Sequence, residues 1–350
     1  MKALKTLALA LVLALALTAC GVIRSDDGPT VVVGGSQPAG TEEPETRDTA
    51  PEEPELEEAG LSVGALKGPT AMGMIRMISD DGVNRYTLAG SADELTPALI
   101  KGDLDAACVP ANLAAVLYNK TGGQIVTLAV NTLGVLYVVE NGGETVRSMA
   151  DLKGRTIVAA GKGSTPEFGL RYLLEQNGLD PDKDVTIDWK SEHAECVAAL
   201  AAGTADLALL PQPFVTVAQG KLGDSLRVAL DLTAEWDALD NGSAMITGVV
   251  VARRDLVENR PEAVEGFLKD YAASVEWVNA NPAEAAELIA ENGIIESAAI
   301  AEKALPHCNI VCLTGQEMFE KLSGYLQVLA DAAPESVGGA LPRDDFYYGV

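Results

Sequence analysis

The sequence predicts an α/β protein built from two similar lobes, each a sheet flanked by helices. Three observations lead there. Predicted strands and helices alternate from residue 61 to residue 251. Most of the predicted strands are short apolar runs, as expected where helices cover both faces of a parallel sheet. A set of short motifs also occurs twice, in the same order, in two successive stretches of that region.

In chain order, a strand is expected at 61–66, broken by Gly68-Pro69-Thr70. Met72, Ile75 and Ile78 then recur at helical spacing. A short strand at 86–88 follows. Ser91 and Glu94 form a capping box for a helix that stops at Lys101-Gly102. The apolar run 104–109 reads as a strand ended by Pro110, a helix continues to about Tyr118, and strands follow at 125–130 and 135–139. The order then restarts with a strand at 156–160 and the loop Gly161-Lys162-Gly163-Ser164-Thr165-Pro166. Thr165 is the expected N-cap of the next helix, with Pro166 at its first position and Gly178 closing it. A strand at 185–189, a helix at 192–202 and a strand at 206–210 come next, the last ended by Pro211-Gln212-Pro213. Strands at 226–230 and 246–251 precede a stretch from Pro261 that reads as nearly all helix. Within it, Thr314 and Glu317 suggest a second capping box.

The repeat has two parts. Lys67-Gly68-Pro69-Thr70 is echoed by Lys162-Gly163-Ser164-Thr165. Gly102, Asp105, Ala107, Val109 and Pro110 are echoed at the same spacing by Gly203, Asp206, Ala208, Leu210 and Pro211. Ligands of open α/β sheets sit beyond the carboxyl ends of the strands. Two facing lobes would therefore line one cleft with four loops. The first loop of each lobe opens a helix, where free backbone N–H groups favour an anion or a hydrogen-bond acceptor. Gly68, Thr70, Gly163, Ser164 and Thr165 are the candidates there. Asn112 and Gln212 are the matching polar residues after Pro110 and Pro211. Phe214, Trp236 and Tyr86 are aromatic candidates for stacking, although isolated aromatics more often sit in a core.

The first segment, 1–20, reads as a lipoprotein signal peptide. Lys2 and Lys5 precede an unbroken Leu/Ala/Val run at 7–17 that is short for a membrane span. Leu17-Thr18-Ala19-Cys20 resembles the bacterial lipobox, in which the cysteine is diacylated, so Cys20 is the expected lipidation site. Residues 21–60 are rich in Pro and Glu and lack apolar periodicity. They read as a disordered acidic tether reaching roughly 35 Å, or else as an acidic partner-binding tail. With 25 basic against 51 acidic residues the net charge is −26, which argues against a nucleic-acid partner. Of the five cysteines, Cys108 and Cys196 sit in apolar surroundings. Cys308 and Cys312 are either packed thiols or a disulfide. With His307 they make only a weak metal case, so no metal and no cofactor is expected.

Support for catalysis is missing. The two histidines, His193 and His307, belong to no recognisable triad, and no phosphate-binding loop of the required spacing is present. Glu192, His193 and Glu195 cluster at a predicted helix start, where capping accounts for Glu192.

Several segments together resemble the substrate-binding proteins of ABC importers in the nitrate/sulfonate/taurine and thiamine-pyrimidine-like group. They are Leu66-Lys67-Gly68-Pro69-Thr70, Asp151-Leu152-Lys153-Gly154-Arg155 before a short strand, the Gly203/Asp206/Ala208 pattern, and Thr247-Gly248-Val249-Val250-Val251. The resemblance runs from about residue 61 to the end. It implies a two-lobed, type II flytrap fold of the periplasmic-binding-protein kind, each lobe a mixed, mostly parallel sheet. Lobe 1 would be 61–132 plus 255–350, and lobe 2 would be 133–254, with crossovers near 131–134 and 245–248. It implies closure on a small-molecule ligand, a permease and ATPase as partners, a monomer on the outer side of the cell membrane, and no enzyme activity. Family binding positions fall on Gly68, Pro69, Thr70 and Ala71, on Gly163, Ser164, Thr165 and Pro166, and then on Asn131, Thr132 and Thr247. The chain departs from an oxyanion receptor in having no arginine in these loops, which leaves a neutral or weakly anionic organic ligand open. The alternatives are a ligand-sensing surface lipoprotein and an enzyme resembling thiamine-pyrimidine synthase. Such an enzyme depends on clustered cysteines and a catalytic histidine.

Overall fold

The computed structural model describes residues 60–80 and 82–350. The signal peptide, Cys20 and the tether up to residue 59 lie outside the described residues. Among the described residues eleven strands follow one another. They are β1 (Ser62–Leu66), β2 (Arg85–Ala89), β3 (Ala106–Pro110), β4 (Ile125–Leu133), β5 (Leu136–Asn141), β6 (Thr156–Ala160), β7 (Thr186–Lys190), β8 (Leu207–Pro211), β9 (Leu226–Asp231), β10 (Ile246–Arg253) and β11 (Ile310–Leu313).

They form two mixed sheets, of order β11-β4-β10-β3-β1-β2 and β7-β6-β8-β5-β9. β1 runs parallel to β2 and β3, and β6 parallel to β7 and β8. One antiparallel strand lies beside each parallel trio, β10 next to β3 and β5 next to β8. The sequence repeat is therefore a topological one, with β2-β1-β3-β10 matched by β7-β6-β8-β5. Pro110 faces Gly248 and Pro211 faces Leu136 at the ends of these ladders, where a missing N–H is tolerated. Every residue of β8 and all but the last of β3 and β4 are buried, as helices cover both faces.

The local signals act where expected at several ends. Glu94 Oε1 accepts from Ser91 N at 3.0 Å, and Gly102 closes the helix Ala92–Lys101 in the left-handed region at φ 88°. Two helix starts differ. Ser164, not Thr165, caps the helix Thr165–Gln176, so Thr165 and Pro166 lie inside its first turn. Thr314 precedes the helix Gly315–Ala332, but its side chain makes no capping bond.

Domain boundaries also differ. β4 leaves the first sheet at Leu133 and β5 enters the second at Leu136. The expected return at 254/255 falls after β10, yet β10 pairs with both β3 and β4 in the first sheet. The return therefore precedes Ile246. The apolar run of β10 reads as a strand in sequence, but nothing in it says which sheet it joins. β11 falls in the stretch from Pro261 that the sequence predicts as nearly all helix. It is a four-residue strand paired irregularly with β4.

Trp236 is fully buried between Tyr172 at 4.8 Å and Tyr325 at 5.4 Å, so it is core and not a stacking platform for ligand. Tyr325 belongs to the helix Gly315–Ala332, which thus packs against both the first sheet and the Trp236 region of the second lobe. Cys108, Cys196, Cys308 and Cys312 are free thiols, and burial pushes Cys308 up to about 12 and Cys312 up to about 11. The disulfide alternative for the last pair is not taken.

Candidate ligand-binding cleft

The loops after β1, β2 and β3 and those after β6, β7 and β8 all leave the carboxyl ends of parallel strands. Residues from the two sets meet. Asn112, just after β3, donates from Nδ2 to Gly163 O at 3.4 Å and to Ser336 O at 3.0 Å. Thr165, on the far lobe, donates from Oγ1 to Asn112 Oδ1 at 3.3 Å. Both side chains are fully buried, and the Tyr325 phenol lies against Thr165. Burial raises that phenol above its ordinary range. A further approach joins Gly90 and Glu192. A Cβ built on Gly90 would lie 3.4 Å from Glu192 Oε1 and 3.5 Å from Glu94 Oε1.

A second group surrounds Gly248. A Cβ there would lie 2.5 Å from Asn131 Oδ1, 3.0 Å from Thr70 Cγ2 and 3.4 Å from Thr132 Cβ. Thr132 Oγ1 donates to Asn131 Oδ1 at 3.1 Å. Asn131 Nδ2 is buried against Cys108 and makes no conventional hydrogen bond. Burial pushes the Cys108 thiol up to about 12, the Asn131 contact working the other way.

Several expected ligand groups are engaged within their own lobe. Thr70 Oγ1 donates to Leu66 O at 2.8 Å, and Ser164 Oγ to Gly161 O at 2.7 Å. Gln212 Oε1 accepts from Thr216 N at 3.3 Å and Thr216 Oγ1 at 2.9 Å. Thr247 Oγ1 donates to Leu133 O at 2.7 Å and so ties the two crossover strands together. Gly68 caps the four-residue helix Pro69–Met72 at φ 139°, a conformation that glycine adopts readily. Pro69 is half-buried above it, whereas Ala71 is fully buried in the first-lobe core. Pro110 is half-buried at the end of β3, and Pro166 is buried beneath Gly161.

One correction bears on charge. The Gly163 amide, expected to face a ligand, donates to Glu167 Oε2 at 2.6 Å. The loop supplies its own acceptor through a carboxylate four residues along the chain.

Sequence reasoning passed over His193 and Phe214 as a pair. Their rings lie 5.3 Å apart at the first positions of the helices after β7 and β8, His193–Ala201 and Phe214–Leu222, and His193 Nδ1 is buried without a partner. Burial lowers its pKa to about 4, which leaves the imidazole neutral. The signal was available, because the repeat makes the loop after β7 the counterpart of the loop after β2. Tyr86 is half-buried against the first-lobe core. Among the described residues, no group of three His, Cys, Asp or Glu side chains is placed to hold a metal.

Residues 77–292 match the NMT1-like family. The chain belongs to that family. Among relatives, a protein of Brucella abortus named as a binding protein is 25% identical over 222 residues, 61% of this chain and 65% of the relative. The chain thus spans just under two thirds of the curated relatives it matches. Among solved structures, an ABC transporter protein from Parabacteroides distasonis shares 26% identity at a TM-score of 0.69, covering 83% of this chain and 99% of that one. The periplasmic aliphatic sulphonate binding protein SsuA of Escherichia coli, at 18% identity and TM-score 0.66, covers 81% of this chain and 92% of its own. This NMT1-like chain therefore has the two-lobed periplasmic-binding-protein fold expected from its sequence.

Proposed function

We propose that this NMT1-like chain is an extracytoplasmic solute-binding protein of an ABC importer. It is anchored through a lipid on Cys20, captures a small organic or anionic molecule between its lobes, and delivers it to a permease. One observation carries the reading. Polar side chains from the two lobes, Asn112 after β3 and Thr165 after β6, meet at 3.3 Å. A molecule held among these loops would be enclosed by a rigid-body closure of the lobes. Residues near Gly134 and before Ile246 would absorb the motion. The neighbouring structures, an ABC transporter protein and a sulphonate-binding protein, support the same class. Among the described residues no helix is long and apolar enough to cross a membrane.

The test is a thermal-shift screen against sulfonates, nitrate, pyrimidines, vitamins and amino acids, followed by small-angle scattering with any compound that stabilises. A ligand at a hundred times its Kd adds ~2.7 kcal/mol of stability. Stabilisation with a smaller radius of gyration and no turnover is the expected result. Turnover of the stabilising compound would refute the receptor reading.

A further inference from the structure

The cleft loops hold no buried cation. Lys67 and Lys162 are exposed, Lys190 at the end of β7 is half-buried and paired with Asp188 at 2.8 Å, and the buried polar side chains Asn112, Asn131, Thr132, Thr165 and Gln212 carry no charge. His193 is no substitute, because the half-buried ring, its Nδ1 shielded from solvent, has its pKa lowered to about 4 and is neutral near pH 7. An anion enclosed by lobe closure would be stripped of water with no counter-charge beside it, which is strongly unfavourable.

Three backbone donors at the cleft's helix starts are already used. Gly163 N donates to Glu167 Oε2 at 2.6 Å. In the other lobe, Gly90 N and Ser91 N donate to Glu94 Oε1 at 3.2 and 3.0 Å. In both lobes an internal carboxylate thus stands where an external anion would be drawn to a helix start. Each carboxylate also leaves negative charge at the loop, and Glu192 adds a third beside Gly90.

Two side-chain nitrogens near these loops are buried without a conventional hydrogen-bond partner, and both are uncharged. Asn131 Nδ2 is a buried donor without a conventional acceptor, and His193 Nδ1 is buried and unpaired beside the Phe214 ring. A neutral imidazole offers one donor and one acceptor.

We propose that the cleft takes an uncharged, hydrogen-bonding organic molecule, and that Glu167 excludes oxyanions by occupying the Gly163 amide with its own carboxylate. The inference rests on the receptor reading above and narrows its ligand class.

The test titrates the full chain, as wild type, Glu167→Gln and Glu167→Ala, with two probe sets. One set is anionic, namely nitrate, methanesulfonate and nicotinate. The other is neutral, namely nicotinamide, uracil and cytosine. Circular dichroism confirms that each variant is folded. Glu167→Gln removes the charge alone, and Glu167→Ala also frees the amide. The expected result is no anion binding by wild type, and methanesulfonate affinity rising about tenfold or more in Glu167→Ala, with a smaller rise in Glu167→Gln. Nitrate, methanesulfonate or nicotinate bound by wild type would overturn the inference while leaving the receptor reading intact. Anion affinity unchanged in both folded variants would also overturn it. Failure of every probe in both sets to bind wild type, with anion binding gained in the variants, would uphold the exclusion by Glu167 and count against both the uncharged ligand class and the receptor reading.

Discussion

Thr165 donates a hydrogen bond to Asn112 across the lobes, from Oγ1 to Oδ1 at 3.3 Å, with both side chains fully buried. Asn112 uses its amide on Gly163 O and Ser336 O. This side chain therefore holds the second-lobe loop and the C-terminal segment at one point. Thr165→Val keeps the shape and removes the donor. It is expected to weaken ligand affinity by about 1 kcal/mol with little loss of fold, as read by calorimetric titration beside a urea melt. Asn112→Ala is expected to cost more in the melt, about 1–3 kcal/mol, because it leaves buried groups unpaired.

Gly248 is the tightest point of the second polar group. A Cβ would sit 2.5 Å from Asn131 Oδ1, and Asn131 is fully buried between β10 and β11. Gly248→Ala is expected to destabilise the protein by about 1–3 kcal/mol through overpacking. A shift of the urea midpoint at unchanged m-value would report it.

Trp236 is expected to behave as core. Its indole donates from Nε1 to Ser243 Oγ at 3.0 Å, and its ring is closed in by Tyr172 and Tyr325. Trp236→Ala is expected to cost about 3–5 kcal/mol of stability. Trp236→Phe should cost less and leave ligand affinity within twofold or so, since the ring is fully buried between Tyr172 and Tyr325. An affinity loss without a stability loss would return it to the binding site.

His193 gives the protein an acid-side dependence. Its folded pKa of about 4 lies below the ordinary value of 6.5, the cause being burial. Between those values the unfolded chain binds a proton that the folded chain does not, so stability falls as pH drops from 6.5 toward 4 and levels below. The loss is expected to reach a few kcal/mol. His193→Gln should flatten that part of the pH profile of the urea midpoint, and an unchanged slope would count against the buried, neutral imidazole.

Much of this architecture could be read before the fold was known, because the repeat is carried by residues with backbone consequences. Pro110 and Pro211 end ladders, and Gly102 turns a helix end in the left-handed region. Sheet membership was less legible. β10 is an apolar run that would suit either sheet, and its place between β3 and β4 depends on long-range pairing. β11 is too short for a periodicity to show. At the cleft, residue types were readable but partners were not. Thr70, Ser164 and Gln212 are hydroxyl and amide groups suited to a ligand, yet each is committed to a neighbour four residues away or closer. Glu167 looks like an ordinary first-turn acid until its carboxylate is found on the Gly163 amide.

The central claim is that the loops joined by Asn112 and Thr165 enclose a small molecule. The most direct measurement is the dissociation constant of a compound that stabilises the wild type, compared with that of the Thr165→Val, Asn112→Ala double variant. If the cleft is the site, the folded double variant binds that compound about tenfold more weakly or worse. Equal affinity in the folded double variant would place the binding site elsewhere and contradict the account.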